Sequence, residues 1–340
     1  MTTDGMLGDG TWLPHRYDES ADSFRFLSLP RTVQRDATFL TDEHLADTGE
    51  SVAVPVTAID RSALPTGPLH FVFHSAYCCS TLMARMFDAP GHSMGLKEPT
   101  VLNDIVGWRR RGAQPQKVAA VLDAALALLG RPLEGDGAVV IKPSNIVNSL
   151  APAMMGLRSD ANAILLYAPI DDFLSSIAVK GLWGRRWVRQ ALLGQIQDGV
   201  VAERFSAEEM FELTDLQVAG LGWLSHHGIY AKMLERFGAQ RIKVCDSRTL
   251  LADSERTVAR SFAHFGFALD DGEAGKIASG RAFTRNSKDD KVYSREDREK
   301  QIDATREANS DEIAKVAEWV RAVARNAGID VAPRASLMDD

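Results

Sequence analysis

Cysteine is scarce in this chain: three residues in 340, two of them adjacent at Cys78 and Cys79. Three thiols with one neighbouring pair cannot build a disulfide framework, so a reducing compartment, the cytoplasm, is the expected home. Long apolar runs are missing too; no stretch approaches the ~20 residues of a membrane span. The start, "MTTDGMLGDGTW", has no basic segment leading into an apolar one, so no secretion signal is read there. There is no excess of positive charge: 39 lysines and arginines stand against 46 aspartates and glutamates, a net charge of −7. That balance excludes a general nucleic-acid or anionic-membrane binder, which needs a broad basic face, but leaves room for a small basic pocket. Paired ligand clusters are absent as well. His226 and His227 lie in "GWLSHHGIYAKML" with no second cluster at metal spacing, so no metal is expected.

What is present is a core-forming chain, 45% hydrophobic and 25% charged, long enough for one large domain or two modest ones. The first sixty-odd residues are short, turn-rich and mixed in charge. "DSFRFLSLPR" reads as a strand and "LTDEHLAD" as a turn or two of helix, before the Pro-punctuated "VAVPVTAIDRSALPTGPLH". Residues 1–66 are therefore expected to form an extension packed on a main domain spanning 67–340. From Leu69 onward the strand candidates are "HFVFH", "SMGLKE", "AVVIKP", "AILLYAP" and "RIKVCD". Helical segments separate them: Ser80–Asp88, Pro115–Leu129, Asn145–Gly156, Asp171–Val179 and Thr214–Phe237. This alternation predicts an α/β fold with a mostly parallel sheet covered on both faces, its ligands at the carboxyl ends of the strands. The C-terminal region reads as helical after Ser294, capped by Ser294 with Asp297 three residues on.

"LHFVFHSAYCCSTLMARMFD" has the layout of a phosphate loop: buried strand, tight turn, helix. Backbone N–H groups and the helix dipole converge there and can hold an anion without a special side chain. Against the nucleotide-triphosphatase pattern the loop keeps only Ser80 and Thr81 and lacks the glycines and the lysine, which disfavours cleavage of a β–γ phosphate bond. The bland reading is a structural loop with Ser80 as a helix cap.

Three further blocks follow in order: "STLMARMFDAPGHSMGLKEPTVLNDI", "AVVIKPSNIVNSLAPAMMGLRSDANAILLYAPIDDFLSSI" and "RIKVCDSRTLLADSERTVARSFAHFGFALDD". With the loop, over roughly Leu69 to Asp271, this set resembles the sulfotransferase family, tyrosylprotein sulfotransferases in particular. The resemblance implies a three-layer, P-loop NTPase-like α/β domain and sulfuryl transfer from 3′-phosphoadenosine-5′-phosphosulfate (PAPS) to a hydroxyl, or an amine, of a small-molecule or peptide acceptor, without a metal. It implies that Glu98 is the general base and that Lys142 stabilises the leaving oxygen. Ala76, Tyr77, Cys78, Cys79, Ser80 and Thr81 would form the 5′-phosphate loop, and Ser175 would touch the 3′-phosphate.

The chain departs from the family pattern at two cations. Tyr77 stands where the loop carries arginine or lysine, and Tyr167 where the 3′-phosphate arginine belongs. Replacements are sought in "LWGRRWVR", with Arg185, Arg186 and Arg189, and in "RAFTRNSKDDK", with Arg281, Arg285 and Lys288. Arg285 and Lys288 fall where the family brings a late basic loop onto the 3′-phosphate. Bland readings accompany the picks: Lys142 as a solvated strand end, Ser175 and Ser176 as ordinary helix residues, the thiols as small loop residues. Lys97, one residue before Glu98, should point away from the site. Two alternatives to sulfuryl transfer stay open: a binding or scaffold module that has lost its donor site, and an enzyme using another phosphorylated donor.

Overall fold

The protein, a computed structural model, is described over residues 2–339 apart from 46–48, 134, 136, 202–204 and 285–294, and eight strands in two sheets lie among the described residues. The first sheet is antiparallel, built from β1 (Trp12–Asp18), β2 (Ser23–Ser28) and β3 (Ser51–Pro55) in that spatial order. The second consists of β4 (Leu69–His74), β5 (Ser93–Lys97), β6 (Ala138–Lys142), β7 (Ala163–Tyr167) and β8 (Ile242–Asp246), all parallel, in the order β5-β6-β4-β7-β8.

These five strands are short apolar runs with nearly every residue buried, as a parallel sheet covered on both faces requires. The pleat sends alternate residues to opposite layers. Phe71, Phe73, Val139, Ile141 and Leu165 pack with the antiparallel sheet and with α2 (Thr100–Arg110) and α3 (Pro115–Leu129). Val72, Val140, Ile164 and Leu166 pack on the other side with α1 (Ser80–Met86), α4 (Ile170–Val179) and α7 (Arg295–Asn326). The result is the expected α/β layering of helix, sheet and helix. α5 (Gly181–Gln197) and α6 (Asp215–Arg241) close the carboxyl edge. Gly95 in β5 lets α1 lie close, since a β-carbon there would meet Ala84 O at 2.3 Å.

The sequence segments translate closely at the sheet and less closely around it. Pro115–Leu129 is one helix at those limits, with proline in its first turn and Gly130 at its end. Asn145–Gly156, read as one helix, is a 3-10 stretch (Asn145–Leu150) running into a short α-helix (Ala151–Leu157). β1 and β3 were not anticipated, nor were α2 and α5. The helix read after Ser294 begins at Arg295, while Ser294 itself lies outside the described residues. No helix among the described residues is long and apolar enough to cross a membrane.

Candidate active site

The carboxyl ends of β4, β5 and β6 are adjacent, which brings together three segments far apart in sequence. β5 and β6 run in register, Lys97 opposite Lys142, and the ladder continues one step beyond: Glu98 N–H donates to Lys142 O at 2.7 Å. At Glu98 the backbone leaves the strand with φ +54°, a left-handed conformation that costs a non-glycine residue on the order of 1 kcal/mol. That turn reverses the side chain toward β6, where Glu98 Oε1 accepts an ion-paired hydrogen bond from Lys142 Nζ. Lys142 is 1% exposed and Glu98 20% exposed at the side chain, so the carboxylate is the partner that faces the opening. Lys97 turns the other way, as strand alternation demands. Its Nζ donates to Arg35 O at 2.5 Å, and burial lowers its pKa to about 8.

A fourth segment covers the pair. Phe39 lies with its ring 5.2 Å from Lys142 Nζ, and His44 meets that ring edge-on at 5.2 Å. Leu40 N–H donates to Lys97 O at 2.7 Å and Thr100 N–H to Leu40 O at 3.3 Å, which pins this segment across the end of β5. The ammonium therefore has a carboxylate on one side and an aromatic face on another.

The loop between β4 and α1 sits beside this pair. Ala76 (φ +70°), Tyr77 (φ +52°) and Cys79 (φ +62°) are all left-handed; with Glu98 they make four of the six such non-glycine residues among those described. The loop thus takes left-handed turns without a glycine. Consecutive backbone N–H groups in such a turn form a concavity suited to an anion, and Ser80 and Thr81, 7% and 4% exposed, start α1 behind it. Lys142 is close enough to be felt electrostatically at Cys78, although burial dominates and pushes that thiol up to about 12. Cys78 is thus an un-ionised thiol at neutral pH, donating to Leu166 O at 3.6 Å.

The other sequence candidates fall out as follows. Tyr77 faces Trp187 of α5 (ring centroids 5.3 Å) and Phe173 of α4 (6.1 Å), and Tyr167 at the end of β7 faces His227 (4.9 Å). Burial raises both phenols to about 12, so neutral aromatics stand where the resemblance calls for cations. Ser175 is 1% exposed, and its hydroxyl donates to Asp171 O at 2.7 Å within its own helix. Arg189 is drawn to Asp215 at 2.6 Å, and Arg185 to Asp215 and Glu312 at 3.8 Å each; Arg186 is exposed. Arg285 and Lys288 lie outside the described residues. Two guanidiniums not singled out in the sequence reach the block that carries Ser175: Arg321 meets Asp171 at 2.6 Å and Arg248 meets Asp172 at 2.5 Å. Phe39 was also missed, because nothing near it in sequence marks it. No group of three metal-ligating side chains occurs among the described residues.

No family model matches the chain, and no curated protein matches it. Among solved structures it is similar to the sulfotransferase domain from the curacin biosynthetic pathway, at 12% identity and TM-score 0.41, over 66% of this chain and 81% of that one. It is similar to a sulfotransferase from Alicyclobacillus acidocaldarius at 16% identity and TM-score 0.41, over 77% and 96%. Retinol dehydratase in complex with androsterone and the inactive cofactor PAP gives 14% identity and TM-score 0.40, over 85% and 90%. Likenesses of this strength leave the reading of the site to its own residues.

Proposed function

We propose that the protein transfers a sulfuryl group from PAPS to a hydroxyl or amine of an acceptor. The observation that carries this reading is the Glu98–Lys142 pair, held on neighbouring strand ends beside a loop that is left-handed at Ala76, Tyr77 and Cys79. A base and a buried cation next to an anion cradle are the parts such a transfer needs, and none of the three is demanded by the fold. In this reading Glu98, on the open side of the pair, takes the proton from the acceptor as its oxygen bonds to sulfur. Lys142 turns from Glu98 to the bridging oxygen whose bond to sulfur breaks, and stabilises the charge that develops there. Loop backbone, Ser80 and Thr81 hold the 5′-phosphate. Phe39 keeps water off the ammonium and strengthens its field.

One observation favours the other-donor alternative. Arg185 and Arg189 are engaged with Asp215, and the rings of Tyr77 and Tyr167 occupy the places of two cations. Calorimetric titration with adenosine 3′,5′-bisphosphate, alongside ATP, separates the readings. Binding of the bisphosphate and not of ATP is the expected result. Absence of bisphosphate binding overturns the PAPS assignment and leaves a different phosphorylated donor or a binding module.

A further inference from the structure

His74 ends β4 and is 4% exposed. Its imidazole is used on both sides. Ala76 N–H, in the phosphate-type loop, points to Nδ1 at 3.1 Å, and Nε2 lies 3.1 Å from Pro143 O, the residue after Lys142. Because an amide N–H can only donate, Nδ1 must be the lone-pair nitrogen, which leaves the proton on Nε2 to be donated to Pro143 O. The residue's own carbonyl accepts from Asn148 Nδ2 at 2.9 Å, and the same amide nitrogen reaches His226 Nδ1 at 2.9 Å. One neutral side chain therefore ties the left-handed loop to the strand end that presents Lys142. The 3-10 turn after Lys142 is fastened to the same point.

We propose that His74 is a positioning residue: its ring sets the loop at a fixed distance from Lys142, so that an anion held by the loop is delivered to the ammonium. The proposal rests on the sulfuryl-transfer reading for what the anion is, not for the hold itself. No other tautomer serves both bonds, and the thiol of the buried Cys78 donates to Leu166 O. The Nδ1 hold also explains how Ala76 and Tyr77 can stay left-handed without glycine: the loop is clamped at the point where the chain turns.

Three substitutions separate the two sides of the ring. Asn places its Oδ1 near the position of Nδ1 and keeps the bond from Ala76. Gln places its Nε2 near that of the ring and keeps the bond to Pro143, and Ala keeps neither. With the full-length protein and adenosine 3′,5′-bisphosphate, His74→Ala and His74→Gln are expected to weaken binding roughly tenfold, the size of one hydrogen bond. His74→Asn should stay within about threefold of wild type. Urea midpoints measured in parallel show whether affinity follows only stability. Equal affinity in His74→Ala and wild type overturns the proposal, as does a loss in all three variants that simply tracks their urea midpoints. If wild type itself fails to bind the bisphosphate, the sulfuryl-transfer reading fails. The hold is then read from hydrogen exchange at the Ala76 amide. Protection in wild type and His74→Asn, lost in His74→Gln and His74→Ala, sustains it; equal exchange in all four forms overturns it.

Discussion

Two buried cations lie on either side of β6 in the chain, Arg131 in the segment before it and Lys142 at its end, and they are held in opposite ways. Arg131 is 3% exposed. Its guanidinium donates to carbonyl oxygens: Leu128 O (2.6 Å), Leu7 O (2.5 Å), Asp9 O (3.1 Å) and Trp12 O (2.5 Å). Burial lowers its pKa to about 10, and its donors are spent on backbone carbonyls. Lys142, where β6 ends, has one carboxylate that opens to solvent and one aromatic ring. A fork saturated by fixed carbonyls can only hold a fold together. An ammonium with an exchangeable partner can change partners, which is what a reaction requires. Charge burial alone does not distinguish structure from function here; the kind of acceptor does.

Exchanging each cation for an isosteric apolar chain tests this contrast. Lys142→Met should reduce the transfer rate by roughly 10²–10³-fold, the scale of one removed charge-stabilising donor, with a smaller effect on the urea midpoint. A variant that transfers normally would break the contrast at its functional end. Arg131→Met should lower unfolding free energy by about 3 kcal/mol, since several buried carbonyls lose their donor at once, while the rate per folded molecule is kept. Activity lost without loss of stability would break it at the structural end.

Buried histidines lie near both ends as well, and acid should expose them together. His226 and His227 on α6 are pushed down to about 4 and about 3 by burial, and His70 and His264, near the starts of β4 and β7, to about 4. The native state refuses protons that the unfolded chain binds below pH 6.5, so stability is complete above about 6.5 and falls as pH drops toward 4. Each histidine contributes about 1.4 kcal/mol per pH unit in that window. Proton uptake on unfolding near pH 5, read from the pH dependence of the urea midpoint, should decrease when His226 is replaced by Asn. No decrease would mean that this ring is already charged in the fold.

The smallest effect concerns the loop. Cys79→Gly should raise stability by up to about 1 kcal/mol, because glycine removes left-handed strain and gives back part of the gain as chain entropy. Bisphosphate affinity should be retained. A destabilised variant would show that the Cys79 side chain contributes more packing than its backbone costs.

The sheet was legible because its five strands are continuous apolar runs between turn residues, and their order along the chain dictates which ends meet. Glu98 and Lys142 were legible only through the resemblance; their pairing depends on the parallel register of β5 and β6 and on a left-handed turn that no glycine announces. β1 escaped notice because Pro14 and the irregular pairing between Pro14 and Arg16 interrupt its alternation. Arg185 and Arg189 looked available in sequence because Asp215, their partner, lies on another helix. His74 carried no signal at all. Its role arises from an amide two residues on and a carbonyl sixty-nine positions away.

The segment that carries Phe39 has a consequence for how this site could be moved. A chain begun at residue 67 would still contain all five parallel strands, both members of the ion pair and the phosphate-type loop. It would leave Lys142 open to water on its aromatic side and strip Arg131 of every acceptor described above except Leu128 O. Grafting the sheet into another protein would therefore transplant the chemistry without its dryness. The first sixty-six residues would have to travel with it, as the roof travels with a furnace.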